Sequence, residues 1–146
     1  MLIRGLLEAA RERLVSIADD ARLIDVAKLL SAGSDFVIVC DGDGIMQGIV
    51  TKTDIVKQIS TCQGAVCMHP VATAMTRDVA LCQESDRLED VSELMKRRHL
   101  KSIPVVDANN RPMGVLTTRV ILRALLGDAK YKEVQLINYV DGLGYR

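Results

Sequence analysis

No tryptophan and only one phenylalanine occur in the 146 residues of this chain. Its core therefore has to be built from Val, Ile, Leu, Ala and Met. No apolar run approaches the roughly eighteen residues needed to cross a bilayer, which leaves no candidate transmembrane helix. Neither sign of charge dominates, because Lys plus Arg and Asp plus Glu each total 19. A global basic footprint for nucleic acid is thus missing. The cysteines Cys40, Cys62, Cys67 and Cys82 form no C-x-x-C pair, and Cys40 and Cys82 fall in predicted strands, where a reduced thiol behaves as a small apolar group. A reduced, cytosolic setting fits better than a disulfide framework. The opening MLIRGLLEAARERL lacks the h-region and cleavage site of a signal peptide and reads as a short amphipathic helix. A soluble, cytoplasmic protein is expected. No Ser, Cys or His has the base-and-orienter arrangement of a nucleophile, so an enzyme is not expected either.

What the chain does have is itself, twice. GIVTKTD (Gly48 to Asp54) returns as GVLTTRV (Gly114 to Val120), and DFVIVCD (Asp35 to Asp41) returns as KSIPVVD (Lys101 to Asp107). Both pairs share one register, since 114 − 48 = 66 and 107 − 41 = 66. Upstream, RLIDVAKLL (Arg22 to Leu30) matches RLEDVSELM (Arg87 to Met95) at 87 − 22 = 65, one residue out of step. A period this long means two copies of one supersecondary unit, each too small to bury its own apolar face. The cleft between copies is then the natural place for a ligand.

Each copy reads as β-α-β-β-α, an α/β (α+β) unit. A short strand (around Val15 to Ile17; Val79 to Cys82) leads through a polar turn into a helix. The second of these helices has Ser85 or Asp86 as its expected cap and Leu88, Val91, Leu94 and Met95 at helical spacing. An all-apolar strand follows (Phe36 to Cys40; Ile103 to Val106), of the kind buried on both faces. The turns Asp41–Gly44 and Asp107–Asn110 send the chain back through MQGIVT or PMGVLT, and a helix closes the copy from Thr51 or Thr117. The expected division is 7–62 for repeat 1, 63–73 for a linker, 74–127 for repeat 2, and 128–146 for a helical tail with Val134, Ile137 and Val140 at helical spacing.

These repeats resemble cystathionine-β-synthase (CBS) domains, and the pair resembles a Bateman module. The residues that carry the likeness are Ile103 to Asp107, the Gly-x-x-Thr-x-x-Asp stretch Gly48 to Asp54, and the lead-in Met75-Thr76-Arg77-Asp78. The resemblance implies two copies stacked about a pseudo-two-fold axis. It also implies clefts for adenosine-containing ligands such as AMP, ATP or S-adenosylmethionine, a regulatory rather than catalytic role without a cofactor, and association into a disc-shaped homodimer.

Two readings of Thr51-Lys52-Thr53-Asp54 stay open. Helix N-termini favour oxygen-rich ligands, and the resemblance implies that Asp54 accepts hydrogen bonds from both hydroxyls of a ribose. Alternatively, Thr51 and Asp54 satisfy only the helix's own donors as a capping box. In the second repeat Val120 stands at the Asp position, and losing those acceptors disfavours a nucleoside by roughly 1–3 kcal/mol. One competent cleft, at Asp54, is expected, and one that is empty or altered. The resemblance further implies that Lys101 and Arg119 face phosphates in the Asp54 cleft, that Ile103 and Pro104 wall the adenine, and that the Val79 region offers backbone groups to its edge. Asp35 is a counter-sign, an acid where a basic residue often helps hold phosphate. Lys101 and Arg119 are equally readable as solvated surface.

The remaining motifs read first as ordinary structure. Lys96-Arg97-Arg98-His99 ends a predicted helix, where cations complement the dipole. Cys62, Cys67 and His69 match no standard zinc spacing. Asp41-Gly42-Asp43-Gly44 begins like a calcium loop, but Ile45 and Met46 follow, so it is a hairpin turn. The leading expectation is a regulatory module that takes an adenine nucleotide or adenosyl ligand and signals to an effector protein. No nucleic acid or membrane partner is expected. The alternatives are a ligand-independent dimeric scaffold and a redox-responsive module using Cys62 and Cys67.

Overall fold

The computed structural model describes residues 1–61, 64 and 68–127. After a 3-10 turn at Ile3–Leu6, repeat 1 runs α1 (Leu7–Glu12), β1 (Ser16–Ala18), α2 (Leu23–Ser31), β2 (Phe36–Cys40), β3 (Met46–Thr51) and α3 (Lys52–Ser60). Repeat 2 follows a 3-10 turn at Val71–Thr73, with β4 (Cys82–Gln83), α4 (Leu88–Arg97), β5 (Ser102–Val106), β6 (Pro112–Thr117) and α5 (Thr118–Leu126). Each repeat builds a three-stranded sheet in the order given, the first pair parallel and the second antiparallel. The hairpins turn where the sequence places them. The carboxylate of Asp41 accepts the N–H groups of Asp43 (2.9 Å) and Ile45 (3.0 Å). Asp107 does the same for Asn109 (2.8 Å) and Arg111 (2.9 Å), as Asx turns do. Each hairpin also slips register once, at Val39/Cys40 and at Val105/Val106, so the repeat extends to its irregularities.

Period-two alternation gives the central strand β2 two different faces. Val37 and Val39 pack with Leu23, Val26 and Leu30 of α2. Phe36 and Ile38 turn the other way and join Val106 and Val115 of the second repeat. The two sheets thus meet through apolar side chains, and the domain has one core for each repeat and a third between them.

The segment ahead of each repeat is bound to the other repeat. Ile3 N–H donates to the Asp86 carbonyl (2.9 Å) and Leu88 N–H to that of Met1 (3.0 Å). Val71 N–H donates to the Ala21 carbonyl (2.7 Å) and Leu23 N–H to that of His69 (2.9 Å). The two pairs superpose in register: 86 − 21 = 65 and 88 − 23 = 65 for one partner, 71 − 3 = 68 and 69 − 1 = 68 for the other. Ile3 and Ala10 accordingly lie in the core of repeat 2, and Val71 in that of repeat 1. Gly114 of β6 lets α1 approach so closely that a Cβ there would stand 2.5 Å from the Ala10 carbonyl carbon. Gly48 of β3 receives Thr76 in the same way, 2.5 Å from its carbonyl oxygen.

Three sequence expectations need correction. α4 begins after Arg87 rather than being capped by Ser85 or Asp86, and the Asp86 carboxylate instead accepts Gln83 N–H at 2.8 Å. Pairing in the expected strand Val79 to Cys82 is confined to Cys82–Gln83, because Val79 and Leu81 pack into the core between the sheets. The N-terminal helix is split into the 3-10 turn and α1.

Candidate functional site

The β3–α3 junction is built by its own side chains. Thr51 is the N-cap of α3, with its Oγ1 accepting Asp54 N–H at 3.3 Å. The Asp54 carboxylate answers by accepting Thr51 N–H at 2.9 Å through Oδ2. This is the reciprocal capping box that the spacing allowed. Oδ2 also accepts the Thr51 hydroxyl at 3.1 Å. A further hydroxyl reaches the carboxylate from the lead-in of repeat 2, where Thr76 Oγ1 lies 3.3 Å from Oδ1 and 3.4 Å from Oδ2. Backbone bonds fix Thr76 there, since it pairs with Ile49 in both directions at 2.8 and 2.9 Å. Thr76 is a site residue that sequence reasoning passed over, although it lies in the Met75–Asp78 motif. Oδ2 is thus heavily used, while Oδ1 keeps acceptor capacity.

The second junction has the same frame without the acid. Thr117 Oγ1 accepts Val120 N–H at 3.2 Å, and Val120 packs on the core of repeat 2. Thr118 N–H and its hydroxyl both bond the Lys101 carbonyl, at 2.9 and 3.3 Å. This junction opens on a cavity of about 300 Å³ shared by both repeats. Thr117, Val115 and Ser102 line one side, and Val15, Phe36 and the segment from Ala32 to Asp35 line the other, with Glu12 and Arg13 of α1 at its edge. The cavity is at the lower end of the size range of small-molecule sites. Asp35, read from sequence as a counter-sign in the Asp54 cleft, lines this second one.

The other sequence-named residues fall as follows. Thr53, Lys101 and Arg119 are exposed, and Val79 is half-buried against the core between the sheets. Ile103 is fully buried in the core of repeat 2 with Leu88 and Val91, and Pro104 is buried beside it in β5. Burial pushes the Cys82 thiol up to about 12, with the Asp86 carboxylate adding to it. Burial also raises Cys40, helped by Asp41 and Asp19. Neither thiol is poised as a reactive thiolate. Cys62, Cys67 and the tail from residue 128, with Val134, Ile137 and Val140, lie outside the described residues. Among the described residues no cluster of His, Cys, Asp or Glu is fit to hold a metal ion. No helix there is long and apolar enough to cross a membrane.

Comparison with known proteins agrees with this architecture. A family model for the CBS domain matches residues 6–61 and 71–127. A homoserine O-acetyltransferase of Methanocorpusculum labreanum is 32% identical over 107 residues, which are 73% of this chain and 21% of that enzyme. The chain thus spans about a fifth of that relative's length. Among solved structures, CBSX2 in complex with AMP superposes with a TM-score of 0.71 at 24% identity, over 86% of this chain and 96% of that one. The CBS domain pair of protein MJ0100, in complex with 5′-methylthioadenosine and S-adenosyl-L-methionine, gives 0.70 at 22% identity, over 89% and 98%. Two matched copies, the reciprocal lead-ins and the paired β-α junctions all agree: the chain is a tandem pair of CBS domains and belongs to that family.

Proposed function

We propose that the chain is a regulatory module which binds an adenine nucleotide or another adenosyl ligand in the cleft at Asp54 and passes the event to a partner protein. The observation that carries this reading is the Thr51–Asp54 junction. It combines the exposed N-terminus of α3 with a carboxylate whose Oδ1, among the described residues, accepts the hydroxyl of Thr76 at 3.3 Å. A ribose diol can take the place of that hydroxyl at Oδ1 while Oδ2 goes on capping the helix. Lys101 and Arg119 are solvent-exposed cations assigned to the phosphate, with Thr53 and backbone groups near Val79 completing the seat. Ile103 and Pro104 are buried in β5, so their part in the adenine wall is assigned to backbone atoms. The complexes of CBSX2 with AMP and of MJ0100 with adenosyl compounds support the ligand class.

Because Thr76 belongs to the lead-in of repeat 2, displacing its hydroxyl from Asp54 alters the contact between the repeats. A ligand with different affinity for two packings shifts their populations, and no catalytic step is needed. The test is a thermal-shift panel of AMP, ATP, S-adenosylmethionine and methylthioadenosine. At least one should raise the melting temperature, and Asp54→Ala should remove most of the rise. A flat response to all four counts against the reading.

A second reading, a ligand-independent dimeric scaffold in the cytoplasm, is favoured by one observation. Val56 and Ile59 of α3 are 63% and 62% exposed, which suits a homodimer face. Light scattering of the wild type and of Val56→Lys/Ile59→Lys separates dimer from monomer independently of ligand.

A further inference from the structure

The two clefts differ in charge at matching positions. On the wall opposite Thr117, residues 32–35 are Ala, Gly, Ser and Asp, with Glu12 beside them. The repeat register carries this wall onto the Asp54 side: 32 + 66 = 98 and 35 + 66 = 101, while 51 + 66 = 117 relates the two threonines. The matching residues are Arg98 and Lys101, both exposed. The local backbone supports the correspondence, because Gly33 (φ +116°) and His99 (φ 55°), which is 33 + 66, both have positive φ. His99 itself lines the groove between α4 and α5.

We infer that charge sorts ligands between the clefts: Asp35 and Val120 make the Thr117 cleft reject phosphate-bearing nucleotides and take only phosphate-free, neutral or cationic small molecules. Val120 removes the acceptor that a ribose diol needs, leaving its hydroxyls unpaired on burial. Asp35 and Glu12 outnumber Arg13 among the residues that line the cavity, so a phosphate entering there meets net negative charge, and like charges brought together oppose binding. The N-terminus of α5 alone would attract an anion, and the two carboxylates oppose it. By the repeat register Arg98 and Lys101 fall on the Asp54 side, where their charge acts in the same direction as the α3 terminus. The inference rests on the adenosyl reading for the Asp54 cleft, but its own claim concerns the other one.

Equilibrium dialysis with AMP, counting equivalents bound per chain, tests both separately in the wild type and in Asp35→Lys/Val120→Asp. Asp35 is exposed, and an Asp at 120 supplies the carboxylate of a capping box with Thr117, so the variant keeps a cap; its urea melt checks this. The expected counts are one for the wild type and two for the variant, with the new site within about tenfold of the first in Kd. If the wild type binds none and the variant binds one, the Asp54 reading falls and the sorting claim stands. Two equivalents on the wild type, or an unchanged count on a folded variant, overturns the sorting claim.

Discussion

Gly114→Ala tests the reciprocal lead-ins, because it places one methyl group where α1 meets β6. The new Cβ would stand 2.5 Å from the Ala10 carbonyl carbon and 2.7 Å from both its oxygen and its Cβ. None of these is the far end of a flexible side chain. They belong to a helix that cannot locally swing aside, so α1 has to lift or β6 has to bend. Overpacking of this kind costs about 1–3 kcal/mol. Lifting α1 also loosens Ala10 and Ile3, which are fully buried in the core of repeat 2. Re-exposing part of an isoleucine adds on the order of 1 kcal/mol. The expected loss is about 2–4 kcal/mol, a large part of the 5–15 kcal/mol typical of a domain. For a chain of this size that corresponds to a fall in Tm of about 4–15 °C. Urea unfolding followed by circular dichroism measures it. Gly42→Ala is the control, since nothing lies within 4 Å of its Cβ, and surface substitutions cost less than about 0.5 kcal/mol. If Gly114→Ala and Gly42→Ala unfold at the same urea concentration, α1 does not pack as described.

Gly48→Ala should be comparably damaging, because its Cβ would meet the Thr76 carbonyl oxygen at 2.5 Å; the same urea series reads it. Asp54→Ala should lower stability without ligand by about 1 kcal/mol through loss of the cap, measurable as a shift in urea midpoint. Cys82, with its thiol pushed up to about 12, should resist iodoacetamide at pH 8 in the native protein and react on denaturation. The same shift sets a sign. The raised pKa means that the folded state holds its proton longer, so this stabilisation is complete below about pH 8.5, the ordinary thiol range, and is lost as pH climbs toward 12. An alkaline unfolding titration of Cys82→Ala against wild type should show a flatter decline for the variant.

Much of the fold was legible because it is written in local pattern. β3 and β6 follow the segments MQGIVT and PMGVLT, and Thr51 and Thr117 cap the helices that they precede. Apolar runs mark β2 and β5, and Asx-turn aspartates mark the hairpins between strands. The exchange of lead-ins was not legible, since the bonds of Met1 and Ile3 join residues more than eighty positions away and leave no periodicity in either segment. Val79 and Leu81 illustrate a second limit: their apolar side chains fit a strand equally well, but they are used to join the sheets. At the site, the Thr51–Asp54 pair was readable from its spacing of three. Thr76 was not, because its role depends on the bridge to Ile49. From the sequence Asp35 reads as an acid at the Asp54 cleft, whereas the stacking of the sheets puts it on the cavity at Thr117.

The most direct test of the central claim, that a nucleoside sits on the Asp54 carboxylate, is isothermal titration of AMP into the wild type and into Asp54→Ala at matched folded fractions. Leaving the ribose hydroxyls without their acceptor costs roughly 1–3 kcal/mol, so the account predicts saturable binding to the wild type and an affinity about 5- to 150-fold weaker in the variant. Equal affinity for both proteins would contradict it.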